Sequence, residues 1–562
     1  MDVLNLRWWG WGTLDQSYPL EGRTAFWPTL QAWLEIPEEW IAHETPPIPL
    51  EDISLRPPRL NPRQFSALHK LLSENAVRTD QRARIEHAYG KAYRDLVRLR
   101  AGHVPYPPDV VVYPDDEAQI ASLLAWAADN DVAVIPFGGG SSVLGGVEPP
   151  ADDRLIITLD LARLDRVLSV DTTSRTARIQ AGATGPELEA QLNAQGFTLG
   201  HFPQSFEFST LGGWIATRSA GQNSIGYGKI EHMTQAVRVI TPIGILETKD
   251  TPATAAGPSL LQLLLGSEGT YGVITEATMR IHPLPQAQDY RGILFHSLED
   301  SVAAFRDLMQ HRQLHPAIIR LSDAPETAAY AVMGHEHHGL RRLADTLLER
   351  YLKMRGYDLT TGSTLMLLGF EGDTPWVARQ WNVALEICAD YGGLSLGQTV
   401  GRSWRRERYA QPYLRDTLLG HGIMVDTLET ATTWSNLLNL YTAMVQAMKK
   451  SITENGGGPG YVMTHVSHAY AQGASLYSTF LGRQVADPDP LAKQAQWQAV
   501  KRATTDAILA AGGTLTHHHG IGRDHAPWLE EEIGPGGMQV LRALKSTLDP
   551  AGIMNPGILL QS

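Results

Sequence analysis

The side chains best suited to proton transfer lie in the second half of the chain. Tyr477 stands in an apolar run, and His517, His518 and His519 precede Gly520. An unperturbed tyrosine hydroxyl has a pKa of about 10. A nearby cation would lower this pKa enough to make the phenol a general acid or base. Histidine titrates near neutrality, so the triplet offers a donor to a phosphate. On an extended segment, His517 and His519 would share one side, with His518 opposite.

Two arginines are the candidate anion-binding groups. Arg415 is always charged and can bind a carboxylate or phosphate through two parallel hydrogen bonds. Arg320 stands between Ile319 and Leu321 in a predicted strand, where an arginine must reach water or a partner. These residues predict a site that holds an anion next to a group that moves protons.

The same side chains also have structural interpretations. A tyrosine in an apolar strand is usually a core residue with a satisfied hydroxyl, and Arg415 alone would suit a surface ion pair. His465 and His468 could join the histidine triplet at a metal ion. We predict no metal, because most histidine pairs are not ligands.

Glycine-rich turns precede these residues in the chain. The apolar run 132–135 leads into Gly138, Gly139 and Gly140, which lack a Cβ and let backbone N–H groups approach a ligand closely. Such a turn can form a nest for a pyrophosphate, although an ordinary structural turn is the alternative. Two more Gly-rich blocks follow at 204–213 and 266–274. Three such turns fit a large anionic ligand such as a dinucleotide, but their spacing is not that of a Rossmann fold.

Strand and helix patterns must position these groups. With 562 residues the chain is expected to form two or three domains. We predict an N-terminal helical segment at 1–104, alternating strands and short helices at 105–285, a ferredoxin-like α/β unit at 286–510 and a C-terminal segment at 511–562. The fold class is α+β.

A helical stretch is predicted from about Asn61 to Arg100, opened by Asn61 as cap and Pro62 at the first helical position. Its arginines suggest a solvated face, with binding to lipid or phosphate as the lesser alternative. They are Arg78, Arg82, Arg84, Arg94, Arg98 and Arg100.

The composition excludes several classes of protein. A net charge of -13 gives a nucleic-acid role no electrostatic support. Cys388 is the only cysteine, so neither an internal disulfide nor a cysteine redox pair can form. No signal peptide or membrane span is evident, and we predict a cytoplasmic location. The tryptophans near the N-terminus, Trp8, Trp9 and Trp11, are expected to dock that segment onto the protein.

The glycine blocks together resemble the FAD-binding (PCMH-type) domain of the vanillyl-alcohol-oxidase-type flavoproteins. Further motifs resemble the alkyldihydroxyacetonephosphate synthase family (alkylglycerone-phosphate synthases). They are Trp11-Gly12, 316–321 around Arg320, 412–416 around Arg415, Leu428-Glu429-Thr430 with Trp434, 475–477 with Tyr477, and 517–522 with its three histidines. The resemblance spans most of the chain.

This resemblance implies non-covalent FAD and an exchange of an acyl ester for an alkyl ether on dihydroxyacetone phosphate, with flavin N5 as the covalent handle and no net redox change. It implies that Tyr477 is the general acid/base, Arg415 binds substrate, Arg320 supports it, and His517 to His519 handle protons. The cofactor-binding residues it implies are Phe137, Gly138, Gly139, Gly140, Ser141, Ser142, Val143, Gln204, Ser205, Phe206, Glu207, Phe208, Ser209, Thr210, Thr217, Arg218, Ser219, Ala220, Glu268, Gly269, Thr270, Tyr271, Gly272, Val273 and Ile274.

Several positions depart from the family pattern. The family's tail carries an arginine between two asparagines, where this chain has Met554-Asn555-Pro556-Gly557. His465 stands in place of a strand arginine, Gln204 replaces an aspartate and Arg523 a lysine. The alternative is therefore an FAD-linked oxidase or dehydrogenase of a 2-hydroxy acid or alcohol on the same fold. A small-molecule or lipid substrate, a homodimer and a peripheral membrane contact complete the expectations.

Overall fold

The computed structural model describes residues 5–333, 347 and 350–560. Contacts divide the chain into two compact units. The first unit comprises 1–12, 47–284 and 518–562, and the second comprises 13–46 and 285–517. Each unit is thus assembled from separate stretches of the chain. Among the described residues, no helix is long and apolar enough to cross a membrane.

The first unit contains eleven strands in chain order. They are β1 (Val77–Arg78), β2 (Val110–Val112), β3 (Ala133–Phe137), β4 (Ile156–Asp160), β5 (Val167–Asp171), β6 (Thr176–Gln180), β7 (Phe197–Thr198), β8 (Thr234–Thr241), β9 (Gly244–Glu247), β10 (Val273–Arg280) and β11 (His282–Pro283). The glycine turn follows β3, and β8 with β9 forms a hairpin.

These strands form three sheets. A four-stranded sheet has the order β1-β2-β4-β3, in which β2 and β3 run parallel to β4. An antiparallel five-stranded sheet has the order β5-β6-β10-β8-β9, and β7 pairs with β11. One hydrophobic core joins the two larger sheets, because buried residues such as Val110, Ile157, Val237 and Ile274 belong to the same cluster.

The helices of the first unit are short. They are Pro62–Leu71, Gln81–Glu86, Tyr93–Arg100, Glu117–Asp129, Gly185–Asn193, Leu211–Thr217, Ser224–Tyr227, Ile230–Met233, Leu260–Leu264 and Leu529–Leu548, with 3-10 turns at Leu50–Asp52, Glu74–Ala76 and Ala526–Trp528. The last helix is broken at Gly534, where φ is 73° and Pro535 follows.

The prediction of one continuous helical stretch from Asn61 to Arg100 is wrong. Asn61 does cap a helix, with its side chain accepting from the N–H groups of Arg63 and Gln64, but three separate helices and the strand β1 occupy the stretch. Asp80 caps the second helix by accepting from Ala83 N. A cap residue in the middle of a stretch marks the start of a new helix, which the overall helical composition of the stretch did not reveal.

The prediction of a solvated arginine face is also wrong for three of the six arginines. Arg84, Arg94 and Arg98 are buried. Arg94 and Arg98 both pair with Glu148 at 2.7 Å, and Arg94 also pairs with Asp524 at 2.9 Å. A buried charge must be paired, so these arginines bind other segments of the protein rather than facing solvent.

The N-terminal tryptophans dock onto the first unit as expected. Trp8 is buried in a cluster with Ile85, Tyr89 and Leu99. Trp11 is buried as well, and its ring meets the Phe208 ring edge to face at 5.3 Å. The N-terminal segment therefore packs against both the helical region and the second glycine block.

The second unit is built on one seven-stranded antiparallel sheet. Its strands are β12 (Ala287–Phe295), β13 (Ile318–Ser322), β14 (Thr364–Gly372), β15 (Leu394–Gly397), β16 (Ile423–Thr433), β17 (Tyr461–Ala469) and β18 (Gly473–Arg483). Their order is β15-β12-β14-β13-β17-β18-β16. The sheet places β13, β17 and β18, which carry Arg320, His465 and Tyr477, side by side.

The helices of the second unit lie before, between and after these strands in the chain. They are Phe26–Leu34, Glu38–Ala42, Leu298–Gln310, Ala324–Val332, Thr374–Asp390, Gln398–Glu407, Gln411–Gly420, Leu437–Glu454 and Pro490–Ala510, with a 3-10 turn at Trp434–Asn436. Cys388 is buried within Thr374–Asp390. The α+β class is confirmed, with mixed helix and sheet in both units.

Candidate active site

The first two glycine blocks lie directly against each other in the first unit. A Cβ on Gly138 would overlap Thr210 Oγ1, and one on Gly139 would overlap the carbonyl oxygen of Phe208. Gly140 has φ of +59°, and a Cβ there would meet the Phe137 ring at 2.5 Å. The three glycines are needed because Thr210 Oγ1, the Phe208 carbonyl and the Phe137 ring already fill the space that side chains would take.

The third glycine block joins the same place. Gly269 faces Pro136 of β3, where a Cβ would lie 2.9 Å from the ring. The N–H of Gly266 donates to Ile215 O at 3.1 Å, and that of Glu268 donates to Ala216 O at 2.9 Å. Three blocks that are up to 130 residues apart (roughly) therefore meet at one locus, as a single multi-point ligand site requires.

The backbone of the first turn remains able to bind an anion. Within the described chain, the N–H groups of Gly138, Gly139, Gly140 and Ser141 donate to no protein acceptor. Tyr271, in the third block, is buried with its hydroxyl lacking a partner in the same residues. Buried polar groups are normally satisfied, so these donors fit a bound pyrophosphate and a polar ligand such as FAD.

The other predicted cofactor residues have local roles that shape this locus. Thr210 caps the helix Leu211–Thr217 by accepting from Gly213 N. Trp214 Nε1 donates to Ser209 Oγ at 2.7 Å. Ser142 Oγ accepts from Gly146 N at 2.9 Å, so one of the two serines after the glycines tightens its own loop.

Arg218 ends the helix Leu211–Thr217 with a φ of 53°, and its guanidinium donates to Leu265 O and to Gln262 O. Ser219 Oγ lies 3.2 Å from His201 Nε2. Burial lowers the pKa of His201 to about 3, so this imidazole is neutral. The Arg218 guanidinium thus links the helix after the second block to residues just before the third, while the neutral imidazole of His201 lies next to Ser219.

The Glu268 carboxylate holds the loop that follows the histidines. It accepts the N–H groups of Ile521 at 2.6 Å and of Gly522 at 2.8 Å. Burial raises the pKa of Glu268 to about 7, although these two backbone donors act in the opposite direction. Glu268 was predicted to contact the cofactor, and both of its carboxylate oxygens are engaged by this loop.

Asn555 closes the same region from the C-terminal tail. Its backbone N–H donates to Val134 O, and its side-chain Nδ2 donates to Gly146 O at 3.1 Å and to Glu268 O at 2.6 Å. Asn555, in the part of the tail that departs from the family pattern, therefore ties the tail to two of the glycine-bearing loops.

The alternation predicted for the histidine triplet is wrong. Residues 517–519 form bends rather than an extended strand, and the His518 and His519 rings contact each other at 4.7 Å. The boundary between the two units falls between His517 and His518. Gly520 and Gly522 both have positive φ, which turns the chain at each end of Ile521 and breaks the period of two.

His517 is held within the second unit. Its backbone N–H donates to Glu429 Oε2 at 2.7 Å, and its Nε2 lies 2.7 Å from the Tyr470 hydroxyl. Its ring stacks on that of His468 at 5.3 Å. His517 therefore belongs to a hydrogen-bonded aromatic cluster, an arrangement that can hold or pass a proton.

Tyr477 and His465 are cross-strand partners. The register of β17 and β18 places them directly opposite each other, and their rings stack at 4.9 Å with an interplanar angle of 19°. The Tyr477 hydroxyl donates to Thr427 Oγ1 of β16 at 3.1 Å. The sheet thus fixes the candidate acid/base between strands on both sides.

Arg320 joins this pair through a carboxylate. Its Nη2 lies 2.9 Å from Glu326 Oε1 and 3.1 Å from His465 Nδ1, and Nδ1 lies 2.9 Å from the same Glu326 oxygen. Interaction with His465 and Arg320 holds the pKa of Glu326 at about 2 although burial opposes this. The structure thus unites Tyr477 with Arg320, as a site with an acid/base beside a cation requires.

The expected lowering of the Tyr477 pKa is not observed. Burial raises the pKa of Tyr477 to about 12, and Arg320 offsets this only slightly. The reason is that Glu326 already neutralises Arg320, so the phenol lies next to an ion pair rather than an unbalanced cation. Tyr477 is therefore protonated at neutral pH and acts first as a hydrogen-bond donor.

Arg415 lies half-buried on the helix Gln411–Gly420. That helix packs against β16, the strand that pairs with β18. The sequence patterns did not predict the helix that carries Arg415. They also did not predict the helix Ala324–Val332, which carries Glu326. An acidic residue three positions after Asp323, which caps the helix Ala324–Val332, is the signal that could have revealed the second one.

Comparisons with known proteins agree with this arrangement. A family model described as FAD binding domain matches residues 108–249, and one described as FAD linked oxidases, C-terminal domain, matches residues 284–559. The first covers the glycine turn and the second block, and the second covers Arg320, Arg415, Tyr477 and the histidine triplet.

Full-length relatives are similar to the whole chain. An alkyldihydroxyacetonephosphate synthase from Dictyostelium discoideum is 36% identical over 99% of this chain and 93% of its own length. One from Trypanosoma brucei brucei is 36% identical over 94% and 86%. A solved alkyldihydroxyacetonephosphate synthase structure superposes with a TM-score of 0.84 at 34% identity, covering 99% of both chains.

Proposed function

The chain belongs to the alkyldihydroxyacetonephosphate synthase family of FAD-dependent enzymes, and on that premise we propose that it exchanges the acyl ester of an acyl-dihydroxyacetone phosphate for an alkyl ether. The observation that carries the proposal is the 36% identity to a named synthase across 99% of the chain, through both units. In this exchange a long-chain alcohol enters, a fatty acid leaves, and no net oxidation occurs.

The glycine locus of the first unit supports FAD as the cofactor. The free N–H donors of Gly138 to Ser141 would hold its pyrophosphate, and the buried hydroxyl of Tyr271 offers a further polar contact. When bound, FAD supplies the reactive isoalloxazine ring on which the exchange depends. No histidine or cysteine stands in the turns 137–143 and 204–210 to tether the flavin, which supports non-covalent binding.

The residues of the second unit support proton transfer and anion binding. The entering alcohol must lose its O–H proton, and the fatty acid leaves as a carboxylate. Tyr477, with its hydroxyl on Thr427 Oγ1, is the proposed general acid/base. Arg320 and Arg415 are the proposed anion-binding groups, and His517 to His519 the proposed proton-handling cluster.

The test uses purified full-length protein with its flavin. We expect a yellow protein that releases FAD on denaturation and releases fatty acid from an acyl-dihydroxyacetone phosphate when a long-chain alcohol is present. Bleaching of the flavin by a 2-hydroxy acid under anaerobic conditions, without fatty-acid release, would contradict the exchange and favour the oxidase alternative. In Arg415→Lys the KM for the phosphate substrate should rise about tenfold with flavin content unchanged, because lysine cannot form the paired hydrogen bonds.

Peripheral contact with a membrane is a further part of the proposal, since the substrate carries an acyl chain. It is supported by Ile243 and Ile245, which are 55% and 51% exposed at the turn between β8 and β9. Flotation with lipid vesicles tests it, and loss of flotation in a variant with both isoleucines changed to serine is expected. A homodimer is proposed by analogy with the family, and light scattering tests it. A cytoplasmic location stays a prediction from the sequence, and cell fractionation tests it.

A further inference from the structure

A buried carboxylate lies behind the candidate acid/base. Glu326, on the helix Ala324–Val332, is buried and reaches β13 and β17. Its Oε1 contacts Arg320 Nη2 and His465 Nδ1, both at 2.9 Å. A single oxygen thus serves the arginine beside the phenol and the imidazole stacked on it.

The geometry selects one form of the imidazole. Nδ1 of His465 lies 2.9 Å from Glu326 Oε1 but also 3.1 Å from Arg320 Nη2, which has only N–H hydrogens to offer. With a hydrogen on Nδ1, the ring donates to the carboxylate, and Nε2 becomes its acceptor. Without Glu326, the favoured arrangement reverses, and Arg320 would donate to an unprotonated Nδ1.

The cluster also retains unused polar atoms. Arg320 Nε and Glu326 Oε2 are both buried and have no hydrogen-bond partner within the residues that the structure describes. Fully satisfied networks are the rule in protein interiors, and exceptions concentrate where a ligand or a reacting group is served. A purely structural ion pair would leave fewer such atoms.

We propose that Glu326 is a positioning residue for Tyr477. One of its oxygens fixes the Nδ1–H tautomer of His465, holds that ring on the phenol at 4.9 Å, and neutralises Arg320 beside both. Its influence reaches Tyr477 through His465 and Arg320. The catalytic consequence rests on the proposed function, whereas the effect on the imidazole does not.

A substitution at Glu326 changes the electrostatic environment of Arg320, His465 and Tyr477. Glu326→Gln removes one negative charge, which makes proton loss easier for every neighbour. The His465 pKa, already lowered by burial, should fall by about one further unit, and the pH–rate profile should move in the same direction. The titratable and charged groups that face this cluster are Arg320 on β13, Asp323 at the helix N-cap, Glu326 and Tyr330 on the helix, Tyr477 on β18, and Asp426 and Glu429 on β16.

The first measurement needs no catalysis. Holoenzyme labelled with carbon-13 at histidine Cε1 is titrated by NMR, with the His465 signal identified by its loss in His465→Gln. Glu326→Gln should lower the His465 pKa by about one unit, and Glu454→Gln, on the exposed face of Leu437–Glu454, should leave it unchanged. An unchanged His465 pKa in Glu326→Gln would overturn the proposal, even if the wild type proves to have no exchange activity.

The second measurement follows the exchange reaction. Glu326→Gln and His465→Gln should each lower kcat about tenfold, and the double variant should lose little more, because residues that act as a unit are not additive. Glu326→Asp, which keeps the charge, should recover part of the rate and the wild-type pH profile. Glu326→Asp also provides the test of the proposal if Glu326→Gln does not fold. Additive losses, or a loss that follows FAD content with an unshifted pH profile, would mean that Glu326 is only structural.

Discussion

Gly139 and Phe208 are in backbone contact, so that any side chain at position 139 would overlap the Phe208 carbonyl oxygen. The two residues lie on the first and second glycine blocks, which are separated by about 70 residues in the chain. The glycine triplet is therefore required first by the packing of two protein segments. Its value for a pyrophosphate follows from that packing, which leaves the N–H groups of the turn without acceptors in the part of the protein that the structure describes.

Gly139→Ala should release FAD and destabilise the first unit. The added methyl group cannot be placed without moving the 208–209 backbone, and overpacking of this kind costs about 1–3 kcal/mol or more. The absorbance ratio of flavin to protein and a thermal melt are the measurements. Gly536→Ala is the matched control, because a Cβ there meets nothing within 4 Å and its φ is not positive. Equal flavin content in both variants would show that the two loops are not tightly packed.

Glu268→Gln tests whether one carboxylate holds the loop after the histidines. A glutamine offers one acceptor oxygen to the two N–H groups of Ile521 and Gly522, so one buried donor is left unpaired at a cost of about 1–3 kcal/mol. We expect a lower Tm and reduced exchange activity. Glu531→Gln, an exposed glutamate in the same unit, should match the wild type.

The pH dependence of that variant gives an independent check. The folded pKa of Glu268 is raised to about 7 by burial, above its ordinary value of 4.5. The stability it contributes is therefore complete below about pH 4.5 and lost as the pH rises toward 7. The Tm advantage of the wild type over Glu268→Gln should shrink across this range, and an advantage that grows instead would contradict the raised pKa.

Local patterns in the sequence predicted most of the local features, but not which residues contact one another in the folded chain. The strand β3, the helix cap at Asn61 and the three glycine blocks follow from period, turn residues and capping, which act over a few residues. Glu148 gave no such signal, and the capping pattern at Asp323 could have revealed the helix of Glu326 but not the partners of its carboxylate. Their roles arise from segments that meet only in the folded chain, as when Arg94 and Arg98 converge on Glu148.

The arginines of the helical region show why the remainder could not be predicted. Their spacing suits a solvated face, yet Arg94 and Arg98 are buried because Glu148 and Asp524 arrive from distant loops. The same holds for Tyr477, whose expected cation, Arg320, is neutralised by Glu326. Charge type can be read from sequence, but the balance of charges at one point depends on tertiary contacts.

Glu148→Gln should be strongly destabilising. It leaves Arg94 and Arg98, both buried, short of a counter-charge, and breaking a buried ion pair costs about 3–5 kcal/mol. Although burial alone would raise the pKa of Glu148, Arg94 and Arg98 hold it below its ordinary value. Its stability contribution is therefore present above pH 4.5 and lost as the pH falls through the folded pKa. Thermal melts should show the largest difference from wild type near neutrality and a smaller one in acid; a constant difference would argue against a charge effect.

Tyr477→Phe separates the proposed acid/base from its structural setting. Phenylalanine keeps the ring stacked on His465 and loses the hydrogen bond to Thr427, so stability should fall by about 1 kcal/mol. Loss of the hydroxyl removes the proton donor, and fatty-acid release should fall about 10²–10⁴-fold with FAD content unchanged.

Tyr357 provides the matched control for this variant. Its ring stacks on His296 at 4.0 Å and its hydroxyl donates to Gly392 O at 2.6 Å, the same two kinds of contact as Tyr477 makes. Tyr357→Phe should cost similar stability and leave the exchange rate intact. Because both tyrosines lose one hydroxyl from one histidine-stacked ring, a difference in rate isolates the chemistry of the Tyr477 proton. Equal rates in the two variants would remove Tyr477 from the reaction and leave Arg320, Arg415 and His517 as the groups to test.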